Sequence, residues 1–284
     1  GQCFATSLKM YCTATGSGVY LHITQRFEGQ NLQYLKKGTS SAESFTLSFW
    51  VKSAKTGTYI AEFRDTDNTR NISKSYTISS ADTWEKKTIT YDGDTYGAFV
   101  IDNGASLELN LWLGAGSSKT SGTLQTDWGS QVGSNRAVGQ VNLGDNTSND
   151  WRITGVQMEV GPVATPFEHR SYGQELQLCK RYFHKVGGSA YCNIATVTNF
   201  TTGGMLGPFH HPVEMRAAPS VTKSGDWAVL GGDTTVHQTV VSSDSNGKVS
   251  EIGFANGSGG TSGRSATLRF SNNADAYLHW DAEL

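Results

Sequence analysis

A strict alternation of apolar and polar residues constrains this chain more than any other feature of its sequence. It is clearest over Ala105 to Leu113, where leucine occupies every second position from 107 to 113. Successive side chains of a β-strand point to opposite faces of a sheet, so a period of two is typical of a strand. This stretch is therefore predicted to be a strand with one leucine face buried in a core.

The same alternation recurs through the first half of the 284-residue chain and predicts several more strands. Two lie within Ala5 to Phe27, and the others are at Ser44 to Ala54, Gly57 to Asp65, Asn71 to Ile78, Trp84 to Tyr91 and Trp151 to Val160. The short connection Lys55-Thr56-Gly57 predicts a hairpin between two of them. About eight to ten strands with frequent turns and no regular βαβ alternation predict a two-sheet jelly roll.

The pattern changes between residues 161 and 187. Gly161-Pro162 ends a strand, because proline has no N–H to donate to a ladder. Leu176, Cys179 and Phe183 then follow helical spacing and predict the chain's single helix, over residues 173–185. We predict an all-β protein in three parts: a jelly-roll β-sandwich at residues 1–162, a connector and short helix at 163–187, and a second, smaller β domain at 188–284.

The second domain is predicted from shorter apolar runs. Its predicted strands are Ala190 to Thr198, Pro212 to Met215, Ser220 to Thr222, Thr234 to Ser242, Lys248 to Phe254, Ser265 to Phe270 and Tyr277 to Glu283. Ser245-Asn246-Gly247 predicts a hairpin turn within this domain.

One long motif carries a resemblance to a known family. Residues 153–183, ITGVQMEVGPVATPFEHRSYGQELQLCKRYF, resemble a segment of bacteriophage and prophage tail-fibre-like structural proteins. Upstream, FTLSFWVKSAKTGTY and DTWEKKTITY resemble strands of those proteins and of the jelly-roll carbohydrate-binding modules that they are similar to. The resemblance implies a tail-fibre or receptor-binding protein of the virion, encoded by a phage or prophage, that recognises cell-surface polysaccharide or oligosaccharide. It further implies contact with other virion proteins and assembly as a homotrimer.

Charge and motifs exclude several other functions. A formal net charge of -2 offers no basic surface for nucleic acid. No apolar run approaches the roughly 20 residues of a membrane-spanning helix, so no membrane insertion is expected. Nucleophile-elbow, phosphate-loop, metalloprotease and dinucleotide motifs are absent from the sequence, which predicts that the protein is not an enzyme.

A sugar-binding surface needs an aromatic face for the C–H side of a pyranose and polar groups for its hydroxyls. Such residues occupy the faces opposite the apolar stripes, where a large outward tryptophan on two separate strands is unusual. The predicted ligand-binding residues are Tyr20, His22, Arg26, Trp50, Glu62, Arg64, Asn110 and Trp112, with Glu108 on the same face. Another interpretation is that these residues are covered. The cover would be the long polar loop at residues 114–150, the second domain or a neighbouring subunit.

The resemblance also makes calcium a candidate ligand, with no other cofactor expected. Carboxylates in loops suit a hard cation, and the candidate ligands are Asp65, Asp67, Asp145 and Asp150.

Three alternatives remain open from the sequence. The chain could be a carbohydrate-binding module of a bacterial glycan-degrading enzyme, and hence extracellular, or a purely structural fibre segment with Trp50 and Trp112 buried between subunits. Glu62 and Glu108 could also form a glycosidase pair, since that chemistry needs two acids at about 5 to 10 Å.

Overall fold

A computed structural model describes residues 4–16, 20–199, 204–230, 241–243, 246–254, 262–272 and 274–284. The chain divides into two compact units, Gly1–His169 with Leu284 (unit 1) and Arg170–Glu283 (unit 2). The division falls inside the predicted connector segment, residues 163–187. Within the described ranges, no helix is long and apolar enough to cross a membrane.

The described residues of unit 1 form nine strands and a few single-turn helices. The strands are β1 (Leu8–Tyr11), β2 (Leu21–Glu28), β3 (Phe45–Ser53), β4 (Gly57–Asp65), β5 (Arg70–Ile78), β6 (Glu85–Tyr91), β7 (Ala105–Gly114), β8 (Gly129–Ser130) and β9 (Asp150–Val160). A short α-helix, α1, spans Ser117–Thr120, and 3₁₀ turns span Gly29–Asn31, Gln33–Leu35, Gly133–Asn135 and Leu143–Asp145.

These strands form two antiparallel sheets that pack face to face. Sheet A has the order β1-β9-β3-β6 and sheet B the order β2-β7-β4-β5-β8. The core between them comes from the alternate apolar residues that the sequence pattern predicts, among them Phe49 of β3, Phe63 of β4 and Leu109 of β7, none of them more than 3% exposed. The predicted jelly-roll β-sandwich is confirmed.

The predicted hairpin at Lys55 to Gly57 is wrong. β3 pairs with β6 and β9 in sheet A, whereas β4 pairs with β5 and β7 in sheet B, so the connection crosses between the sheets. The two strands meet through side chains instead, and the rings of Phe45 and Phe63 pack edge to face with centroids 4.9 Å apart. Both strands carry an apolar face, and two such faces bury more area by packing across a core than by pairing side by side.

The segment 114–150 lies on the outer face of sheet B. Its Ala137 is fully buried against Ile60 and Trp112 in a second, smaller apolar cluster. Polar contacts anchor the segment as well, since the Ile60 amide donates to Gln140 Oε1 at 2.7 Å and the Ser73 amide to the Gln125 carbonyl at 2.7 Å. Sheet B is therefore covered on both faces.

In unit 2 the part of the chain that the structure describes forms one helix and nine strands. The helix, α2, spans Tyr172–Lys180, and the strands are β10 (Phe183–Gly187), β11 (Asn193–Asn199), β12 (Met205–His210), β13 (Ser220–Ser224), β14 (Trp227–Leu230), β15 (Val241–Ser243), β16 (Val249–Phe254), β17 (Ser265–Phe270) and β18 (Tyr277–Asp281). They form a three-stranded sheet, β10-β18-β13, and a six-stranded sheet, β14-β17-β11-β12-β16-β15, which share one core.

The predicted helix is correct at its start and too long at its end. Ser171 caps it in a reciprocal pair with Gln174, a capping box that the sequence SYGQ allows. The helix ends at Lys180, because Phe183 already pairs with Asp281 of β18. Pairing with a distant strand overrides the helical spacing of Phe183.

The strand prediction for unit 2 needs several corrections. Residues 212–215 form no strand, and β12 precedes them at Met205–His210, where Pro208 argues against a strand in the sequence. The strands β10 and β14 were not predicted. Most of the predicted strand at Thr234 to Ser242 lies outside the described residues, but Val241 belongs to β15. The hairpin prediction is supported where it is described, since β15 pairs with β16 and Asn246 Oδ1 accepts the amides of Lys248 and Val249.

Candidate functional site

The predicted ligand-binding residues do not share one surface. Trp50 lies on the outer face of sheet A, and the others lie in or beside sheet B. Tyr20, just before β2, is 54% exposed, with the Lys119 ammonium 5.1 Å from its ring centroid. The predicted ligand-binding residues, Trp50 and Trp112 among them, therefore do not form one sugar-binding surface.

Trp112 is also not exposed, because a charged cluster seals it beneath the segment 114–150. Arg136 of that segment binds Glu62 with two hydrogen bonds of 2.7 Å each, and Trp112 Nε1 donates to the same carboxylate at 3.1 Å. The His22 ring packs on Trp112 with centroids 4.8 Å apart. Burial, followed by the nearby charge of Arg136, lowers the pKa of His22. Glu62 is 0% and Trp112 1% exposed, so neither reaches a ligand while the segment is in place.

A second charged cluster joins three other predicted residues. Glu108 accepts from Arg26 Nε and from Arg64 Nη1, both at 3.0 Å. Burial acts to raise the pKa of Glu108, but its bonds and charge interactions with the two arginines lower it overall. Asn110 is buried and accepts from Thr24 Oγ1 at 2.7 Å. These side chains bind one another across β2, β7 and β4.

The same contacts bear on the glycosidase alternative. A general acid for glycoside hydrolysis needs a carboxyl group with a raised pKa. Guanidinium groups hold both Glu62 and Glu108, and the pKa of Glu108 lies below its ordinary value. The arrangement suits fixed anions in ion pairs.

The calcium candidates have other partners. Asp65 binds Lys37 at 2.5 Å, and Asp67 accepts the Val100 amide at 2.9 Å. Asp145 pairs with Lys55, and Asp150 pairs with Lys9 at 3.1 Å and Arg152 at 3.0 Å. In the part of the chain that the structure describes, no group of three or more histidine, cysteine or acidic side chains is placed to hold a metal ion.

A pocket of about 290 Å³ opens at the outer face of sheet A, beside Trp50. Trp50 lies directly across the ladder from Lys86 of β6 on one side and Thr154 of β9 on the other. The side chains that give the pocket its chemistry are the rings of Phe4, Trp50, Phe167 and His169 and the polar groups of Ser48 and Lys86.

A β-bulge shapes the floor of this pocket. The register of β3 against β9 shifts between Ser48 and Trp50, at Gly155. Gly155 has φ +59°, and a Cβ atom there would lie 2.3 Å from Cζ of Phe4. Only glycine gives both this conformation and this close approach. The bulge thus makes room for the Phe4 ring, which packs on Phe167 with centroids 5.0 Å apart.

The connector after β9 forms the wall of the pocket, and two side chains of β9 hold it. Glu159 accepts the Thr165 amide at 3.1 Å and also the Thr165 hydroxyl. Gln157 Oε1 accepts the Glu168 amide at 2.8 Å. The motif that carries the family resemblance therefore has a structural role, since its conspicuous Thr, Gln and Glu residues fix Pro166 and Phe167 over the sheet.

Sequence reasoning found Trp50 but missed the residues around it. Phe167 and His169 lie in the quoted motif TPFEHR, and position in that motif was a usable signal. Lys86 faces Trp50 only because β6 pairs with β3. No pattern in the local sequence indicates that Phe4 belongs to the pocket, because it is far in sequence from Phe167 and His169.

The fold and this pocket define a jelly-roll β-sandwich protein with a small, aromatic-lined surface site. No protein-family model matches the chain, and no curated protein matches it. One similar solved structure is a "Family 16 Carbohydrate Binding Module-2", at 14% identity and TM-score 0.26, covering 54% of this chain and 74% of the other. Another is discoidin II of Dictyostelium discoideum, at 10% identity and TM-score 0.20, covering 87% and 76%. At these TM-scores neither likeness carries an argument about this chain.

Proposed function

We propose that unit 1 binds a cell-surface glycan in the pocket at Trp50. The observation that carries the proposal is the joint presence of a partly exposed indole ring, three further ring side chains (Phe4, Phe167 and His169) and a cavity of about 290 Å³. Ligand pockets range over about 300–1,000 Å³, so this one is of a size for a small group such as one sugar ring.

The physical basis is the two-sided character of a pyranose. Its C–H face is apolar and packs on an aromatic ring, while its hydroxyl groups need hydrogen-bonding partners at the edge. Trp50 stands on a central strand of sheet A, paired on both sides, and is therefore held rigidly. A preformed surface loses little conformational entropy when a ligand binds.

The Trp50 pocket is a better candidate than the outer face of sheet B. Trp112, Glu62 and Asn110 on that face are buried, and its arginines are engaged with Glu108. The pocket is open to solvent without any rearrangement of the segment 114–150.

The proposed setting is a non-enzymatic component of a virion, of the tail-fibre or receptor-binding type. The resemblance of residues 153–183 supports this setting. Self-assembly is proposed with it: within α2 no residue is buried, and Tyr172 and Leu178 are 82% and 49% exposed. An exposed helix of this kind suits packing against another copy of the chain or another virion protein.

A glycan array tests the proposal. The wild-type chain is compared with Trp50→Ala and with the matched control Tyr20→Ala, which removes an exposed aromatic ring beside the other sheet. Loss of binding in Trp50→Ala alone, with an unchanged circular dichroism spectrum, is the expected result. Light scattering on the same samples gives the mass of the assembly.

Two outcomes contradict the proposal. Equal binding by wild type and Trp50→Ala, with loss in Tyr20→Ala, would move the site to sheet B. A stable trimer that binds no glycan would favour a purely structural fibre segment, with Trp50 covered by a neighbouring copy.

A further inference from the structure

We infer that the ligand of the Trp50 pocket is an acidic sugar, one that carries a carboxylate group on the ring that enters the pocket. This inference rests on the proposed function and makes it more specific. It follows from the charge and hydrogen-bonding character of the lining residues.

The pocket contains a cation, Lys86, that makes no direct ion pair with the described residues. Lys86 lies directly across the ladder from Trp50. The pKa of Glu159 is lowered, mainly by the hydrogen bond from the Thr165 hydroxyl. The charge of Lys86 lowers the pKa of Glu159 further, so the two groups lie near each other. The oxygens of Glu159 already accept from Thr165, so this carboxylate is engaged with the connector.

The lining residues donate hydrogen bonds more readily than they accept them. An ammonium group and an indole N–H are donors only, and both Lys86 and Trp50 belong to this class. Ser48 and His169 can donate or accept, and among the residues that the structure describes no carboxylate or amide side chain lines the pocket. The hydroxyl groups of a neutral sugar need acceptors as well as donors, whereas a carboxylate only accepts. The lining therefore fits an anion better than a neutral sugar.

A second lysine adds to the positive charge near the pocket. Lys52 follows Trp50 by two residues, so it lies on the same face of β3, with its ammonium 6.0 Å from the Trp84 ring centroid. A carboxylate beside Lys86 would make a charge-assisted hydrogen bond, which is roughly twice as strong as a neutral one. Stacking on Trp50 and pairing with Lys86 would together orient the ring in one direction.

The test compares two ligands that differ at the carboxyl group, which is charged in one and neutral in the other. One is an oligosaccharide of hexuronic acid residues, and the other is the same oligosaccharide with its carboxyl groups converted to methyl esters. Titration calorimetry of the whole chain is expected to show binding of the acid and at least roughly tenfold weaker binding of the ester. Binding of the acid is expected to weaken as the salt concentration rises, because salt screens an exposed charge pair.

Three variants locate the effect. Lys86→Gln is expected to lower affinity for the acid by roughly tenfold or more and to lower the weak affinity for the ester by a much smaller factor. Lys86→Arg should retain the preference for the acid. Lys119→Gln is the control, because it makes the same change in net charge in α1, outside the pocket lining, and should have no effect.

The outcomes separate this inference from the proposed function. Equal or tighter binding of the ester, lost in Trp50→Ala, would overturn the acidic-sugar inference and leave glycan binding at Trp50 intact. An acid preference that survives Lys86→Gln would also overturn it. Binding of neither ligand, with no neutral glycan bound on the array, would overturn both.

Discussion

The strongest stability prediction concerns Lys37, whose ammonium group is buried in unit 1. The side chain is 4% exposed and binds Asp65 at 2.5 Å and Asp94 at 3.1 Å. It also donates to the carbonyls of Tyr96 at 2.7 Å and Gly97 at 2.6 Å. One ammonium group thus pairs with two buried carboxylates, the second of which Arg70 also binds, and donates to two loop carbonyls.

Replacing Lys37 by methionine keeps the stem and removes only the charge. Asp94 retains Arg70, with bonds of 2.7 and 3.0 Å, but Asp65 is then left with only the neutral donors of Asn68. Removing one partner of a buried ion pair costs about 3–5 kcal/mol, because the other charge remains buried without compensation. For a unit of this size, that corresponds to a loss of about 6–20 °C in melting temperature.

Hydrogen exchange of the β4 and β7 amides, read by mass spectrometry, reports the unfolding free energy of unit 1 separately from that of unit 2. The control is Lys36→Met, since Lys36 makes an exposed pair with Glu43 at 2.6 Å that is worth at most about 1 kcal/mol. The double variant Lys37→Met/Asp65→Asn should lose less than the sum of the single variants. A cost for Lys37→Met no larger than that of Lys36→Met would refute the reasoning.

Three further predictions concern Arg136, Gly155 and His184. Arg136→Met should lower the free energy of unfolding by about 3 kcal/mol, because Glu62 is then buried without its cationic partner. The variant should also speed proteolysis within the segment 114–150. An unchanged rate of digestion would contradict the role of Arg136 in holding that segment over Trp112. Gly155→Ala should lower the free energy of unfolding by about 1–2 kcal/mol because of the positive φ at this position, which a melting temperature would report. The added methyl group should also displace Phe4 and weaken glycan binding, which calorimetry would report. Burial, then the charges of Lys180 and His211, lowers the pKa of His184 to about 4. The unfolded state therefore binds more protons below about pH 6.5, so unit 2 should lose stability as the pH falls from 6.5 to 4. His184→Phe should flatten that dependence in thermal melts across the pH range, and an equally steep loss would assign it to another group.

Local patterns in the sequence were sufficient for the fold class and for much of the core. The period of two places Phe45, Leu47 and Leu109 on buried faces, because strand geometry alone decides which side chains share a face. The capping box at Ser171 and the stop at Gly161-Pro162 are equally local, since each depends on residues a few positions apart.

Local patterns could not decide what covers each face. Trp50 and Trp112 both alternate with apolar residues, and the sequence treats them alike. Arg136 covers Trp112, while a glycine bulge and the Phe4 ring leave a pocket beside Trp50.

What the sequence by itself determined is therefore a jelly-roll sandwich and the identity of its inward residues. Tertiary structure alone decided that β3 and β4 belong to different sheets, that Lys86 faces Trp50 and that Phe4 meets Phe167. The physical reason is that a strand's own periodicity specifies a face, whereas its neighbours are chosen by packing between residues far apart in the chain.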